Sequence, residues 1–160
     1  MTPDLQRARS AIASEIGPDV AEFTPAGEKH FVAEAALLSM GGTFLYAFFK
    51  GFVQKAGEAA GKEIGEPVGS ALGKFIGGLF GKLRHPAAPP VADADLEAAR
   101  QEAAGVVKTG GLSPEEIAAI GQAVAASMAA VLAQQADSDV SQRVAERVRS
   151  EGLSVLGAAA

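Results

Sequence analysis

The sequence predicts an all-α protein, and two observations carry this prediction. Apolar residues recur every three or four positions along most of the chain, which is the period of an amphipathic helix. Residues that typically start and stop helices bracket these segments. Because no segment shows the apolar and polar alternation of a half-buried strand, we expect a helical hairpin or bundle with a glycine-rich region and a separate C-terminal set of helices.

The predicted helices of the first half begin at caps that contain proline. The first spans residues 1–17, where Thr2 can cap the helix and Pro3 suits its first turn. The second follows the Thr-Pro pair at residues 24 and 25 and carries the apolar residues between positions 31 and 49. We expect this second helix to be long and buried.

Three further helices are predicted in the second half of the chain. A helix near residues 96–107 ends at a Thr-Gly-Gly break, and Ser113 then forms a capping box with Glu116. The uncharged residues 117–136 that follow are rich in Ala and Gln, so we expect a bundle helix rather than a membrane span. The last helix begins near residue 139 and ends at Gly152.

The chain divides at a proline-rich segment, residues 86–92, which favours an extended linker. Up to residue 85 there are nine basic and nine acidic residues, whereas five basic and ten acidic residues follow. No aromatic residue follows the segment. We therefore predict a Gly- and Phe-rich, membrane- or self-associating region at residues 1–85 and an acidic, Ala-rich helical region at residues 93–160.

The amino-acid composition excludes most kinds of catalytic site. The 160 residues include no Cys and two His, which excludes disulfides, zinc thiolate sites and cysteine nucleophiles. His30 and His85, the only candidate imidazole bases, are expected to be incidental, and a phosphate loop at residues 69–75 fails in spacing. With a net charge of −5, nucleic acid binding is disfavoured. We expect no catalytic residues, no metal and no cofactor.

The most informative feature is a row of glycines spaced four residues apart. Each glycine inside a water-exposed helix costs roughly 0.5–1 kcal/mol relative to Ala, so something must compensate for the row. Small residues four apart let two helix backbones approach closely, and the row is therefore predicted to be a helix-packing surface. Its seven members are Gly57, Gly61, Gly65, Gly69, Gly73, Gly77 and Gly81.

Pro67 divides this row into two predicted glycine-faced helices, residues 50–66 and 67–83, which form either a hairpin or one bent helix. The second is basic and amphipathic, with an apolar arc of about 140°. Such a helix suits a membrane surface, but a helix packed on a protein core has the same periodicity. The predicted membrane or partner contacts are Phe44, Phe48, Phe49, Phe52, Leu72, Phe75, Ile76, Leu79, Phe80, Lys74 and Lys82.

A segment that could span a membrane only if it is extended over charged residues lies upstream of the glycine row. Residues 35–49 are 15 uncharged residues, which cover about 22 Å as a helix and fall short of the roughly 30 Å hydrocarbon core. Extension to residues 31–53 reaches about 35 Å but includes Glu34 and Lys50. We therefore consider a soluble form that hides Phe44, Phe48, Phe49, Phe52, Phe75 and Phe80 and exposes them on assembly or on meeting lipid.

The repeat, GEAAGKEIG at residues 57–65 and GSALGKFIGGLFG at residues 69–81, resembles the glycine-zipper class of membrane-associated or oligomerising helical proteins. The resemblance implies close helix packing and membrane association. We expect a non-enzymatic protein, made in the cytoplasm without a signal peptide, that forms a homo-oligomer and meets the inner membrane, with residues 112–152 open to a protein partner. The alternative is a soluble helical assembly or adaptor that uses the same glycine faces.

Overall fold

The computed structural model describes residues 3–16, 34–59, 92–133 and 138–157. Within these ranges the chain forms five helices and no strand, so the all-α prediction is confirmed. The helices are α1 (Pro3–Ile16), α2 (Glu34–Ala59), α3 (Asp93–Thr109), α4 (Pro114–Leu132) and α5 (Ser138–Val155).

Helix α2 is the centre of the bundle and packs against each of the other four helices. Its sequence is apolar nearly all round, and a helix of that kind is stable in water only when it is covered on every side. Every α2 side chain that the structure describes is accordingly buried or half-buried. The other four helices are amphipathic and each turns one apolar stripe towards the core, as with Leu5 and Ile12 of α1.

Helices α2 and α3 run in the same direction. Leu96, near the start of α3, is the neighbour of Gly42 near the start of α2. Six residues later along α3, Glu102 accepts a hydrogen bond of 2.8 Å from Nζ of Lys50, eight residues further along α2. Because both contacts follow the same order along the two helices, α2 and α3 are parallel.

Helices α4 and α5 form an antiparallel hairpin. The predicted capping box is present at the start of α4: the Glu116 N–H donates to Oγ of Ser113 at 3.1 Å, and the Ser113 N–H donates to the Glu116 carboxylate at 3.2 Å. The early α4 residue Gly121 lies against Leu153, near the end of α5. Helix α4 buries seven of its residues, as expected of a bundle helix.

Two sequence expectations are corrected by the fold. No helix starts near Lys50, because α2 continues through that position as one helix over Glu34–Ala59. The prediction that the last helix ends at Gly152 is also wrong, because α5 continues to Val155. Helices from both sides of residues 86–92 contribute to a single hydrophobic cluster, so the helices described after this segment pack together with those before it.

Candidate interaction surfaces

The four phenylalanines of α2 lie inside the bundle. Phe44, Phe48, Phe49 and Phe52 are each at most 1% exposed, so contact with a membrane or partner through them requires the bundle to open. Phe48 is at their centre, with its ring centroid 6.1 Å from that of Phe49 and 6.3 Å from that of Phe52. The sequence predicted these four residues as membrane or partner contacts, and in the bundle they form part of the hydrophobic core.

The first glycine of the row, Gly57, lies half-buried near the end of α2. The other six members, Gly61, Gly65, Gly69, Gly73, Gly77 and Gly81, lie outside the described residues. The same is true of Leu72, Lys74, Phe75, Ile76, Leu79, Phe80 and Lys82, the predicted contacts on the second glycine-faced helix. For these positions the packing surface therefore stays a prediction.

Two glycines outside the row bring described helices together. A Cβ placed on Gly41 of α2 would lie 2.5 Å from the carbonyl oxygen of Arg9 and 3.3 Å from the Ala13 nitrogen, so α1 and α2 touch through their backbones. A Cβ on Gly152 would lie 2.6 Å from two ring carbons of Phe48. The sequence pattern did not predict either glycine as a packing contact, although Gly41 lies in the long apolar stretch of residues 35–49.

Arg9 is a second feature that the sequence did not single out. Its Nε donates to the carbonyl oxygen of Leu38 at 2.8 Å, and its Nη1 lies 2.6 Å from Oδ1 of Asp93. The side chain is 19% exposed, so these charge-assisted bonds are partly shielded from water. One residue thereby links α1 to the starts of both α2 and α3.

A groove of about 570 Å³ runs between α4 and α5. Alanines supply most of its α4 wall, and a shortage of side-chain volume leaves the space unfilled. Glu146 is the only charged residue among the described residues that line it, which are Gln122, Ala125, Ala126, Ala129, Ala130, Ala133, Ser138, Gln142, Ala145 and Glu146.

Membrane-spanning potential among the described helices is confined to α4. Pro114–Leu132 is long and apolar enough to cross a bilayer, with a mean hydropathy of 1.3, and 39% of that window is buried inside the bundle. A single helix of this kind also fits the core helix of a soluble protein. Length and composition alone therefore do not assign α4 to a membrane.

Two carboxyl groups in the described helices have a lowered pKa, and each accepts a hydrogen bond from an arginine on its own helix. The hydrogen bond from Arg100 lowers the pKa of Glu97, and the hydrogen bond from Arg149 lowers the pKa of Glu146. The hydrogen bond with Glu102 raises the pKa of Lys50. These are ordinary responses to ion pairing.

Among the described residues, no group of three or more His, Asp or Glu side chains could hold a metal ion. His30 and His85 lie outside the described residues. No protein-family model, curated protein or solved structure matches this chain. Functional inference therefore depends on the surfaces alone.

Proposed function

We propose that this is a non-enzymatic helical protein that self-associates through its glycine row and associates with, or inserts into, membranes. The observation that carries the proposal is the row itself, seven glycines at a strict spacing of four, whose first member, Gly57, lies near the end of α2. The burial of all four α2 phenylalanines supports a role for the bundle as a soluble carrier of this segment. The inner membrane is the proposed site of action.

The chemistry of residues 67–83 suits this task. Its glycines permit close backbone contact between helices, and the apolar arc beside them gains free energy when it leaves water. Lys74 and Lys82 add attraction to anionic headgroups, which amounts to about 1 kcal/mol for each basic residue near a charged surface. We therefore expect binding to require anionic lipid and to weaken as salt is raised.

The test uses the full chain and vesicles with and without anionic phospholipid. Flotation and dye release report on the membrane, and light scattering after size exclusion reports on the oligomer. The triple variant Gly69→Leu, Gly73→Leu, Gly77→Leu should lose self-association. Gly78→Leu, which adds the same side chain next to the row, is the matched control and should retain it.

The membrane proposal fails if the wild-type protein neither floats with anionic vesicles nor releases their dye. The role of the row fails if the triple variant assembles like the wild type and the Gly78→Leu control. Circular dichroism on each variant separates loss of assembly from loss of folding, because the five described helices should give the same helical spectrum throughout.

A soluble assembly is the second candidate, and the alanine-lined groove between α4 and α5 favours it. Ala126 and Ala130 are exposed on this surface, and small side chains allow a helix of a second copy to approach closely. Ala126→Arg with Ala130→Arg should break a lipid-free oligomer, whereas Ala118→Arg, exposed on α4 outside the groove, should not. If the double arginine variant and the Ala118→Arg control form the same oligomer, the groove is not the contact surface of a soluble assembly.

A further inference from the structure

Polar contacts tie α1, α2 and α3 to one another. Arg9 of α1 donates to the Leu38 carbonyl oxygen of α2 and to Asp93 at the start of α3. At a different point along α2, Lys50 donates to Glu102 of α3 at 2.8 Å. These three helices, which we call the platform, are therefore joined at two separate points.

The hairpin of α4 and α5 is joined to the platform by a more exposed ion pair. Glu15, in the last turn of α1, is paired with Arg143 at 2.7 Å and with Arg147 at 3.3 Å. These two arginine side chains are 46% and 43% exposed, whereas that of Arg9 is 19% exposed. Because water screens an exposed ion pair, we expect the Glu15 link to be weaker than the part-buried hydrogen bond from Arg9 to Leu38.

Helix α5 covers the centre of the phenylalanine cluster of α2 with a glycine. A Cβ on Gly152 would lie 2.6 Å from two ring carbons of Phe48, so the α5 backbone lies directly on the ring. Glycine has no side chain to insert between the rings, and α5 can therefore withdraw without a rotamer change at this contact. Gly121 of α4 lies equally close to Leu153 of α5, and this packing favours movement of α4 together with α5.

The connection between α3 and α4 contains a glycine pair that can act as a hinge. Helix α3 ends at Thr109 and α4 begins at Pro114, and the exposed Gly110 and Gly111 lie between them. Gly111 has a φ of +61°, a conformation that glycine adopts without strain. A Cβ at Gly111 would meet nothing within 4 Å, so neighbouring atoms leave space for rotation there. Hinges are commonly a few residues at the end of an element that absorb such a change.

We propose that α4 and α5 open away from the platform as one hinged unit, with Gly110 and Gly111 as the hinge and Glu15 as the latch that holds the unit closed. Opening removes Gly152 from Phe48 and exposes that ring to solvent. The movement requires no lipid. If the proposed function also holds, the exposed ring becomes available to a membrane, and this use of the opening rests on that function.

Thiol labelling tests the opening because the chain has no native Cys. Val148→Cys places a thiol one turn before Gly152 on the same buried face of α5. Ala103→Cys places one on the buried face of α3 that packs against α2, inside the platform. Each variant is labelled with N-ethylmaleimide without lipid, and hydrogen exchange of the α5 amides is measured under the same conditions. Val144→Cys, one turn earlier on the buried stripe of α5, replaces Val148→Cys if circular dichroism shows that the latter does not fold.

Glu15→Gln should raise the labelling rate of Val148→Cys about two- to fivefold, because it weakens the latch, and it should leave the rate of Ala103→Cys unchanged. Asp4→Asn is the matched control, since it removes an exposed α1 carboxylate that pairs with Arg7 of the same helix, and it should change neither rate. The thiol at position 148 should also report more frequent opening than the α5 amides do, because a hairpin that moves as a unit keeps its helical hydrogen bonds.

Three results would overturn the proposal. Equal opening frequencies from the thiol and from the α5 amides would mean that α5 unfolds, since a single helix of this length is marginal in water. Equal acceleration of Val148→Cys and Ala103→Cys by Glu15→Gln would indicate general loosening of the bundle. No acceleration of Val148→Cys by Glu15→Gln would refute the latch.

These measurements are independent of the proposed function because they contain no lipid. Opening by these criteria together with no flotation on anionic vesicles would refute membrane association and leave the hinged unit intact. Flotation without opening would refute the hinged unit and leave membrane association intact.

Discussion

Replacing Gly152 by Ala should destabilise the bundle, although alanine is the better helix former. The new methyl group would lie 2.6 Å from Cδ1 and Cε1 of Phe48, where carbon atoms are normally separated by about 3.5–4.0 Å. The ring has no room to retreat, because Phe48 is 0% exposed and packs against Phe49 and Phe52. The substitution therefore forces α5 away from α2.

The expected magnitude follows from two opposing terms. Overpacking of a dense core costs about 1–3 kcal/mol, and removing a glycine from a helix returns about 0.5–1 kcal/mol. The variant should be less stable by up to about 2.5 kcal/mol, which for a protein of this size corresponds to a fall of up to about 10 °C in the unfolding midpoint. Thermal and urea unfolding followed by circular dichroism measure both quantities.

Gly105→Ala is the matched control, because a Cβ at Gly105 of α3 meets nothing within 4 Å. It should raise the free energy of unfolding by about 0.5–1 kcal/mol. Phe48→Leu should reduce the cost of Gly152→Ala, because the shorter side chain leaves room for the methyl group. If Gly152→Ala stabilises the protein as much as Gly105→Ala does, the α2 and α5 contact described here is refuted.

Three further predictions concern polar contacts. Ser113→Ala should lower the free energy of unfolding by about 1 kcal/mol, because it removes the α4 cap; unchanged urea unfolding would contradict this. Arg9→Met should cost about 1–3 kcal/mol, because it removes the part-buried, charge-assisted hydrogen bond to the Leu38 carbonyl oxygen. Arg7→Met, in an exposed ion pair, should change stability by less than about 1 kcal/mol, and equal midpoints for the two variants would contradict the difference in burial. The Arg100 hydrogen bond lowers the pKa of Glu97, so its contribution to folding stability is present above the unfolded-state pKa and is lost as pH falls through the folded-state pKa. Glu97→Gln should therefore be slightly less stable than wild type at neutral pH and equally stable in strong acid. A stability difference that stays constant as pH is lowered would exclude the ion pair as the cause.

Local sequence features predicted the helices well because their causes are local. The capping box of Ser113 and Glu116 needs only residues three apart, and it is present as predicted. The uncharged run after it forms a bundle helix as expected, since its apolar period is a property of neighbouring residues. The boundary at Lys50 was wrong, because a divided glycine pattern was given more weight than the continuous helix through that position.

The candidate surfaces were predicted less completely, because their environment depends on distant parts of the chain. An apolar stripe on α2 is compatible with a membrane, a partner or a core, and only the positions of α1, α3, α4 and α5 make it a core. The importance of Gly152 likewise depends on Phe48, which is more than 100 residues away in the chain.

The sequence by itself determined the helical class, the capping of α4, the absence of thiol chemistry and the existence of a glycine row, because each follows from residue identity and short spacing. Only the tertiary structure decided that α2 is the central helix, that its phenylalanines face inward, and that α2 and α3 share one direction. These facts arise from packing between residues far apart in the chain, where close contact rather than local propensity selects the arrangement.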